Sequence, residues 1–163
     1  MRKVGLKERI EEERKIQIKE RTEGAKEEPN DFEKLLVSNP DQSGVWIEYM
    51  AYMLENLDVQ AGRRVAERAV RAVSISNDRE KLNLWIAFIN LENSFGSQES
   101  LQKVVARAIE INDRKKVYLQ LTRVYLNSKK YHMVEDIFRL LAKKYNFDPE
   151  IWRKYLETMF ELA

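Results

Sequence analysis

Apolar side chains recur every three or four residues along most of this chain, beginning near Asn30. This spacing predicts amphipathic α-helices, because a helix turns once every ~3.6 residues and so gathers such positions on one face. Seven apolar stripes follow one another, and we expect each to be one helix. They cover residues 45–57, 65–73, 85–95, 101–109, 117–125, 134–145 and 151–160.

Three short signals refine this pattern. Asp148-Pro149 is typical of a helix start, since an aspartate can cap free N–H groups and proline is tolerated at the first helical position. Gly96 is expected to end a helix in the left-handed conformation. Gly62 lies inside a predicted helix, where glycine costs about 0.5–1 kcal/mol relative to alanine, and close packing of another helix would explain it.

The stripes also form an internal repeat. Large aromatic residues open alternate helices at near-equal intervals, and small or aliphatic residues recur in register on the helices between them. Such self-similarity is typical of stacked helix-turn-helix units, so we predict an all-α fold, a right-handed α-solenoid of about three and a half units over residues 30–163. The expected core positions of the repeat are Trp46, Tyr49, Ala69, Trp85, Phe88, Ala108, Tyr118, Leu141, Trp152 and Tyr155.

Residues 1–29 have a different character. Lysine and arginine alternate there with glutamate, and the few aliphatic residues do not line one face. Glu–Lys pairs can support a helix, but such a segment has little surface to bury. We therefore predict a charged linker or tail that is partly helical or disordered.

Composition narrows the class of protein. The 29 basic and 27 acidic residues nearly balance, so the net charge of +2 does not require a polyanionic partner. Cysteine is absent, which excludes disulfides and thiolate metal sites. No apolar run has the length of a membrane span and the first residues do not resemble a signal peptide, so a soluble intracellular protein without membrane contact is expected.

Candidate catalytic groups are few. His132 is the single histidine, acidic pairs such as Glu12/Glu13 lie in solvated charge runs, and the glycines do not cluster as a phosphate loop requires. We expect no enzyme activity, no cofactor, no metal site and no small-molecule substrate.

Basic residues supply the candidate partner-binding or RNA-binding surface. The candidates recur at helical spacing and are Arg63, Arg64, Arg68, Arg71, Lys103 and Arg107. One interpretation is that Arg68 and Arg107 pair between helices with Glu48, Glu67 or Glu92. The other is a positive stripe that contacts RNA phosphates or an acidic protein segment, as guanidinium groups do well.

Two resemblances extend this interpretation. The run from Trp46 to Tyr49, followed by Arg64-Val-Ala-Glu-Arg-Ala69, resembles the pattern of HAT (half-a-TPR) repeats, and the third unit leans towards a TPR because Tyr118 and Leu141 replace the tryptophan and alanine. Residues 80–101 and 31–51 are more specific. They resemble the C-terminal helical-repeat region of the ribosomal RNA processing protein five family of large nucleolar ribosome-assembly factors.

That resemblance implies a function. The chain would be part of a much longer nucleolar protein, a docking scaffold in pre-rRNA processing and small-subunit assembly, with other pre-ribosomal assembly factors as protein partners. Two alternatives stay open: direct binding of pre-rRNA through the basic stripe and charged leader, or a HAT scaffold in an mRNA-processing complex.

Overall fold

A computed structural model describes residues 29–163, which form eight α-helices. In chain order they are α1 (Pro29–Ser38), α2 (Ser43–Asn56), α3 (Val59–Ala72), α4 (Asp78–Phe95), α5 (Gln98–Ile111), α6 (Arg114–Asn127), α7 (Tyr131–Lys144) and α8 (Pro149–Leu162). The seven predicted stripes fall on α2–α8, and α1 is a further helix that they do not include. The linker predicted over residues 1–29 lies outside the described residues except for Pro29, which opens α1.

Five of the described helices begin at a side chain that accepts a hydrogen bond from the first turn. Asp148 accepts one from the N–H of Glu150 at 3.0 Å and Pro149 is the first residue of α8, which confirms the predicted start. Four other helices are capped in the same way by Asp58, Asn77, Ser97 and Asp113. Each cap satisfies an N–H that the helix itself leaves free, so the short connections are well defined.

The helices stack as an α-solenoid of helix pairs. Within the described residues every helix packs on the next one along the chain, and beyond that only α2 with α4 and α4 with α6 approach closely. The pairs are α2/α3, α4/α5 and α6/α7, with α1 before them and α8 after them. The first helices α2, α4 and α6 therefore lie closer together than the second helices α3, α5 and α7, and each unit is stabilised mainly by its neighbours.

Seven of the ten expected core positions are buried, and they lie along the whole stack: Trp46, Tyr49, Ala69, Trp85, Phe88, Ala108 and Leu141. Tyr118 and Tyr155 are half-buried. Trp152 differs from the expectation, because 40% of it is exposed. The reason is that no helix among the described residues packs on α8 as α5 packs on α4.

Trp152 nevertheless makes a local hydrogen bond that Trp46 also makes, whereas the buried Nε1 of Trp85 has no partner among the described residues. The indole Nε1 of Trp152 donates to the carbonyl oxygen of Asn146 at 2.8 Å, and Trp46 donates to the carbonyl of Pro40 at the same distance. Both carbonyls lie six residues before the ring. In both cases the indole is therefore hydrogen-bonded to the loop that leads into its own helix.

Gly96 does end α4, but the left-handed conformation predicted for it is wrong. Gly96 has φ −95° and ψ 179°, an extended conformation that any residue can adopt. A Cβ at this position would run into the carboxylate of Glu92 and the hydroxyl of Ser100, and would lie 2.8 Å from the Glu92 carbonyl oxygen. Glycine is required here by the space that these groups occupy.

Gly62 has the close packing expected of it. A Cβ there would lie 2.9 Å from Cγ and Cδ2 of Leu54 and 3.4 Å from Cδ1 of Leu91. These leucines belong to α2 and α4, so the missing side chain lets α3 approach both first helices at once. The helix-propensity cost of glycine is offset by this contact.

Polar contacts join successive units at the helix starts. The carboxylate of Glu80 in α4 accepts hydrogen bonds from the N–H of Ser43 at 2.9 Å and from its hydroxyl at 2.5 Å. Lys115 in α6 donates to both Asp148 and Glu150 at the start of α8, each at 2.6 Å. These two carboxylates raise the pKa of the Lys115 ammonium, so Lys115 remains charged and holds α8 in place.

Candidate docking surfaces

The predicted basic stripe lies on α3 and α5, and most of it is engaged in ion pairs. The guanidinium of Arg68 donates to both carboxylate oxygens of Glu33 in α1, at 2.7 and 2.9 Å. Arg107 binds Glu67 in the same two-pronged way, at 2.6 and 3.0 Å. Arg107 thus has one of its three expected partners, whereas Arg68 pairs with a residue outside that set.

Each of these guanidinium groups also lies over the indole of its own unit. The Cζ atom of Arg68 is 5.5 Å from the ring centre of Trp46, and that of Arg107 is 5.1 Å from the ring centre of Trp85. Because aromatic faces attract cations, the ring and the carboxylate hold the arginine from two sides. We call this pair of ion pairs, Glu33–Arg68 and Glu67–Arg107, the Glu–Arg ladder.

The ladder changes the acidity of its carboxylates. The hydrogen bonds from Arg68 lower the pKa of Glu33, and those from Arg107 lower the pKa of Glu67. Burial acts in the opposite direction but is the smaller effect in both cases. The two glutamates therefore stay ionised to a lower pH than an isolated glutamate.

Arg63 forms a third inter-helix ion pair, on the buried side of α3. It donates to Glu92 of α4 at 2.7 and 3.0 Å, and the hydroxyl of Ser100 donates to the same carboxylate at 2.7 Å. Glu92 is only 3% exposed. Burial tends to raise the pKa of Glu92, but the hydrogen bonds and the charge of Arg63 together outweigh it and leave the pKa lowered.

The remaining candidates are more exposed. Arg71 lies 3.7 Å from Glu67 and Lys103 lies 2.6 Å from Glu99, each within its own helix. Arg64 is exposed and forms no ion pair within residues 29–163. The stripe is therefore mainly a set of links between helices, and its unpaired positive charge is small.

The ion pairs of α3–α5 have no counterpart at the next junction. By position in the repeat, Ala106 and Leu140 replace Glu67 and Arg107, while Gln102 and Tyr125 replace Arg63 and Glu92. An open cleft of about 350 Å³ lies at this junction, between α5 and α7. We call it the α5–α7 cleft; its lining includes Gln102, Val105, Ile109, Tyr118, Met133 and Asp136.

A second groove lies on the face formed by the first helices. It has a volume of about 450 Å³ and is lined by α2 and α4, with one residue from α6. Most lining side chains are apolar, among them Ile47, Leu54, Ile86 and Phe95. Ile47 and Phe95 are exposed, so this first-helix groove offers apolar surface to a partner.

Within residues 29–163 no group of three or more histidine, cysteine or acidic side chains is placed to hold a metal ion. His132 is exposed in the first turn of α7. None of the described helices is both long enough and apolar enough to cross a membrane.

Two features of these surfaces were not predicted from the sequence. Glu33 lies before the first complete unit, so the repeat pattern did not connect it with Arg68. The sequence does indicate the α5–α7 cleft through the uncharged residues at positions 106 and 140. That indication can be interpreted only when the residues of the ladder are known.

Comparison with known proteins shows which families this chain resembles. Residues 3–114 match the family model described as "Pre-mRNA-splicing factor Syf1/CNRKL1 N-terminal HAT repeat". "Protein RRP5 homolog" from Mus musculus is 40% identical over 129 residues, which is 79% of this chain and 7% of that protein, and the Homo sapiens protein of the same name gives the same values. The "rRNA biogenesis protein RRP5" of Arabidopsis thaliana is 41% identical over 136 residues, 82% of this chain and 7% of that protein. The chain thus spans a small fraction of the curated relatives that it matches.

Proposed function

The chain belongs to the HAT-repeat family and is homologous to a repeat segment of the RRP5 proteins, and on that premise we propose that it is a protein-docking scaffold in rRNA biogenesis. Its partners in this proposal are other pre-ribosomal assembly factors, its setting is the nucleolus, and its role is non-catalytic. The observation that carries the proposal is 40% identity over 79% of the chain. Identity over that length is far more specific than a repeat pattern, which HAT proteins of other pathways share.

The distribution of charge supports protein docking over RNA binding. Arg63, Arg68 and Arg107 each bind a carboxylate with two hydrogen bonds. An RNA phosphate would have to displace those carboxylates before it could reach the guanidinium groups. The first-helix groove, in contrast, exposes apolar surface that a protein segment can cover directly.

Affinity capture tests this proposal. The tagged chain is incubated with nucleolar extract, and we expect small-subunit assembly factors among the bound proteins. The double variant Ile47→Ser/Phe95→Ser should reduce their recovery, because it removes exposed apolar side chains from the groove without emptying the core. Ile75→Ser is the control, since Ile75 is also an exposed apolar residue but lies outside the groove.

The proposal fails if the chain is folded by circular dichroism and yet recovers no small-subunit assembly factor. Recovery of splicing factors instead would favour the mRNA-processing alternative. Direct RNA binding is tested separately with labelled RNA over a range of salt concentrations, because phosphate contacts make affinity fall steeply as salt rises. We expect no measurable RNA binding near physiological salt.

A further inference from the structure

The α5–α7 cleft lies at the third junction of the array, and each of the two earlier junctions is bridged by an arginine. At both of those junctions a guanidinium lies between a carboxylate of the preceding second helix and the aromatic ring that opens the unit. At the third junction the ring is retained as Tyr118, but Leu140 stands where the arginine would be. The third junction therefore has an aromatic ring but no arginine to lie over it.

From this geometry we propose that the α5–α7 cleft binds an arginine side chain of a partner protein. The guanidinium lies over the half-buried ring of Tyr118 and pairs with Asp136, which lines the same cleft. The inference deepens the proposed docking role and rests on it for the biological partner. Its chemistry can be tested without that partner.

The charge of the cleft selects a cation. Among the described residues that line it, Asp136 is the single charged side chain. Asp136 is exposed and forms no ion pair with any residue of the described range, so its carboxylate is available. An RNA phosphate would meet this negative charge and gain no basic contact within the cleft, and protein is therefore the favoured partner.

The shape of the cleft favours arginine over lysine. Val105, Ile109 and Met133 supply apolar walls for the aliphatic part of a long basic side chain. A planar guanidinium can stack on an aromatic ring while it donates two hydrogen bonds to one carboxylate, which a compact ammonium cannot do. The two occupied junctions of this chain use arginine in that manner.

A titration with synthetic peptides, followed by nuclear magnetic resonance, tests the proposal on the full 163-residue chain. The probe is acetyl-Leu-Arg-Leu-amide, and acetyl-Leu-Glu-Leu-amide is its charge-reversed control. We expect the arginine peptide to shift the signals of Met133, Val105 and Ile109 in a saturable way, and the glutamate peptide to leave them unchanged. Equal shifts with both peptides, or shifts confined to other helices, would overturn the proposal.

Two variants make the test specific. Asp136→Asn should weaken binding of the arginine peptide by about two- to fivefold, since it removes the charge from an exposed charge-assisted hydrogen bond. Glu110→Gln, which alters an exposed carboxylate outside the cleft, should leave the affinity unchanged. If Asp136→Asn binds as tightly as the wild-type chain, the proposed contact is wrong.

The double variant Ala106→Glu/Leu140→Arg rebuilds the missing ion pair from the chain's own side chains. We expect its arginine to occupy the cleft and abolish binding of the arginine peptide, whereas Ala106→Glu alone should retain binding. Unchanged binding by a folded double variant would contradict the proposal, and Asp136→Asn decides the matter if the double variant does not fold. If the chain captures assembly factors but does not bind the arginine peptide, the docking role stands and only the proposed arginine site is excluded.

Discussion

At the scale of single residues, the most constrained point is the carboxylate of Glu92. It is buried, bound by Arg63 of α3 and by Ser100 of α5, and packed against the Cα of Gly96. One side chain thereby links three helices. A buried carboxylate is tolerated when its hydrogen bonds are complete, so its neighbours have little freedom to change.

Substitution of Gly96 by alanine tests this constraint. The added methyl group collides with a carboxylate that cannot move away without breaking its hydrogen bonds, so we expect Gly96→Ala to lower the free energy of unfolding by about 1–3 kcal/mol. Urea denaturation measures this change. Gly44→Ala is the control: a Cβ there meets nothing within 4 Å, and helix propensity should make that variant neutral or slightly stabilised.

The lowered pKa values of Glu33, Glu67 and Glu92 predict acid sensitivity. Each group binds its proton more weakly in the folded state than in the unfolded state. Its stabilising contribution is therefore complete above the ordinary glutamate value of 4.5 and is lost as the pH falls through the lower folded-state pKa. Denaturation curves collected at several pH values should show stability decreasing in that acidic range.

The variant Glu92→Gln isolates the contribution of one carboxylate to the pH dependence of stability. The variant should be less stable than wild type near neutral pH by about 1–3 kcal/mol, and the difference should shrink as the pH is lowered. Glu48→Gln, at an exposed glutamate, should follow the wild-type curve. A constant difference between Glu92→Gln and wild type across the acidic range would contradict the assigned pKa direction.

At the scale of helices, the sequence predicted what depends on local spacing. The apolar period located α2–α8, and the aspartate–proline pair located the start of α8, because both signals act within a few residues. The link from Glu33 to Arg68 and the clasp of Lys115 on α8 could not be read in the same way. They depend on how one unit is oriented on the next, which the spacing within a unit does not determine.

The exposure of Trp152 shows the same limit. Its place in the repeat marks it as a core residue, and its local hydrogen bond matches that of Trp46. Burial of a ring, however, requires a second helix to cover it. Leu156 is 62% exposed and Phe160 is 87% exposed on the same helix, so the apolar character of α8 alone gives no measure of its burial.

Attachment of α8 gives a prediction at this scale. Lys115→Met removes the ammonium that binds Asp148 and Glu150, and we expect faster hydrogen exchange of the α8 amides with α2–α5 unchanged. Lys116→Met is the matched control, since Lys116 is exposed and forms no ion pair with α8 in the described residues. High salt should reduce the difference between wild type and Lys115→Met, because ions screen exposed charge pairs. Equal α8 exchange in the two variants would contradict this role.

At the scale of the whole molecule, the junctions between units are unequal. Arg63–Glu92 and Glu67–Arg107 join the first two complete units, whereas the next junction has neither ion pair and contains the α5–α7 cleft. The backbones of α3 and α4 also lie close together over more residues than the backbones of α5 and α6 do. In a solenoid, stability depends on such nearest-neighbour interfaces.

We therefore expect the array to open in two steps. Hydrogen exchange measured at rising denaturant concentration should expose the amides of α6–α8 before those of α3 and α4, because local opening follows the weakest interface. The variant Ala106→Glu/Leu140→Arg should reduce the difference between the denaturant concentrations at which the two sets of amides are exposed, because it joins α5 to α7. Simultaneous exposure of all helices in the wild-type chain would show that the junctions are equally strong.

The Glu–Arg ladder also has a direction, since the earlier helix always supplies the acid and the later helix the base. If an in-frame deletion removed α2 and α3, Glu33 would face Arg107 and the acid–base match would survive. If it removed α4 and α5, Glu67 would face Leu140 and lose its counterpart. The ladder thus restricts which second helix can follow which, and removal of α2 and α3 would in addition take Arg63 from the buried carboxylate of Glu92.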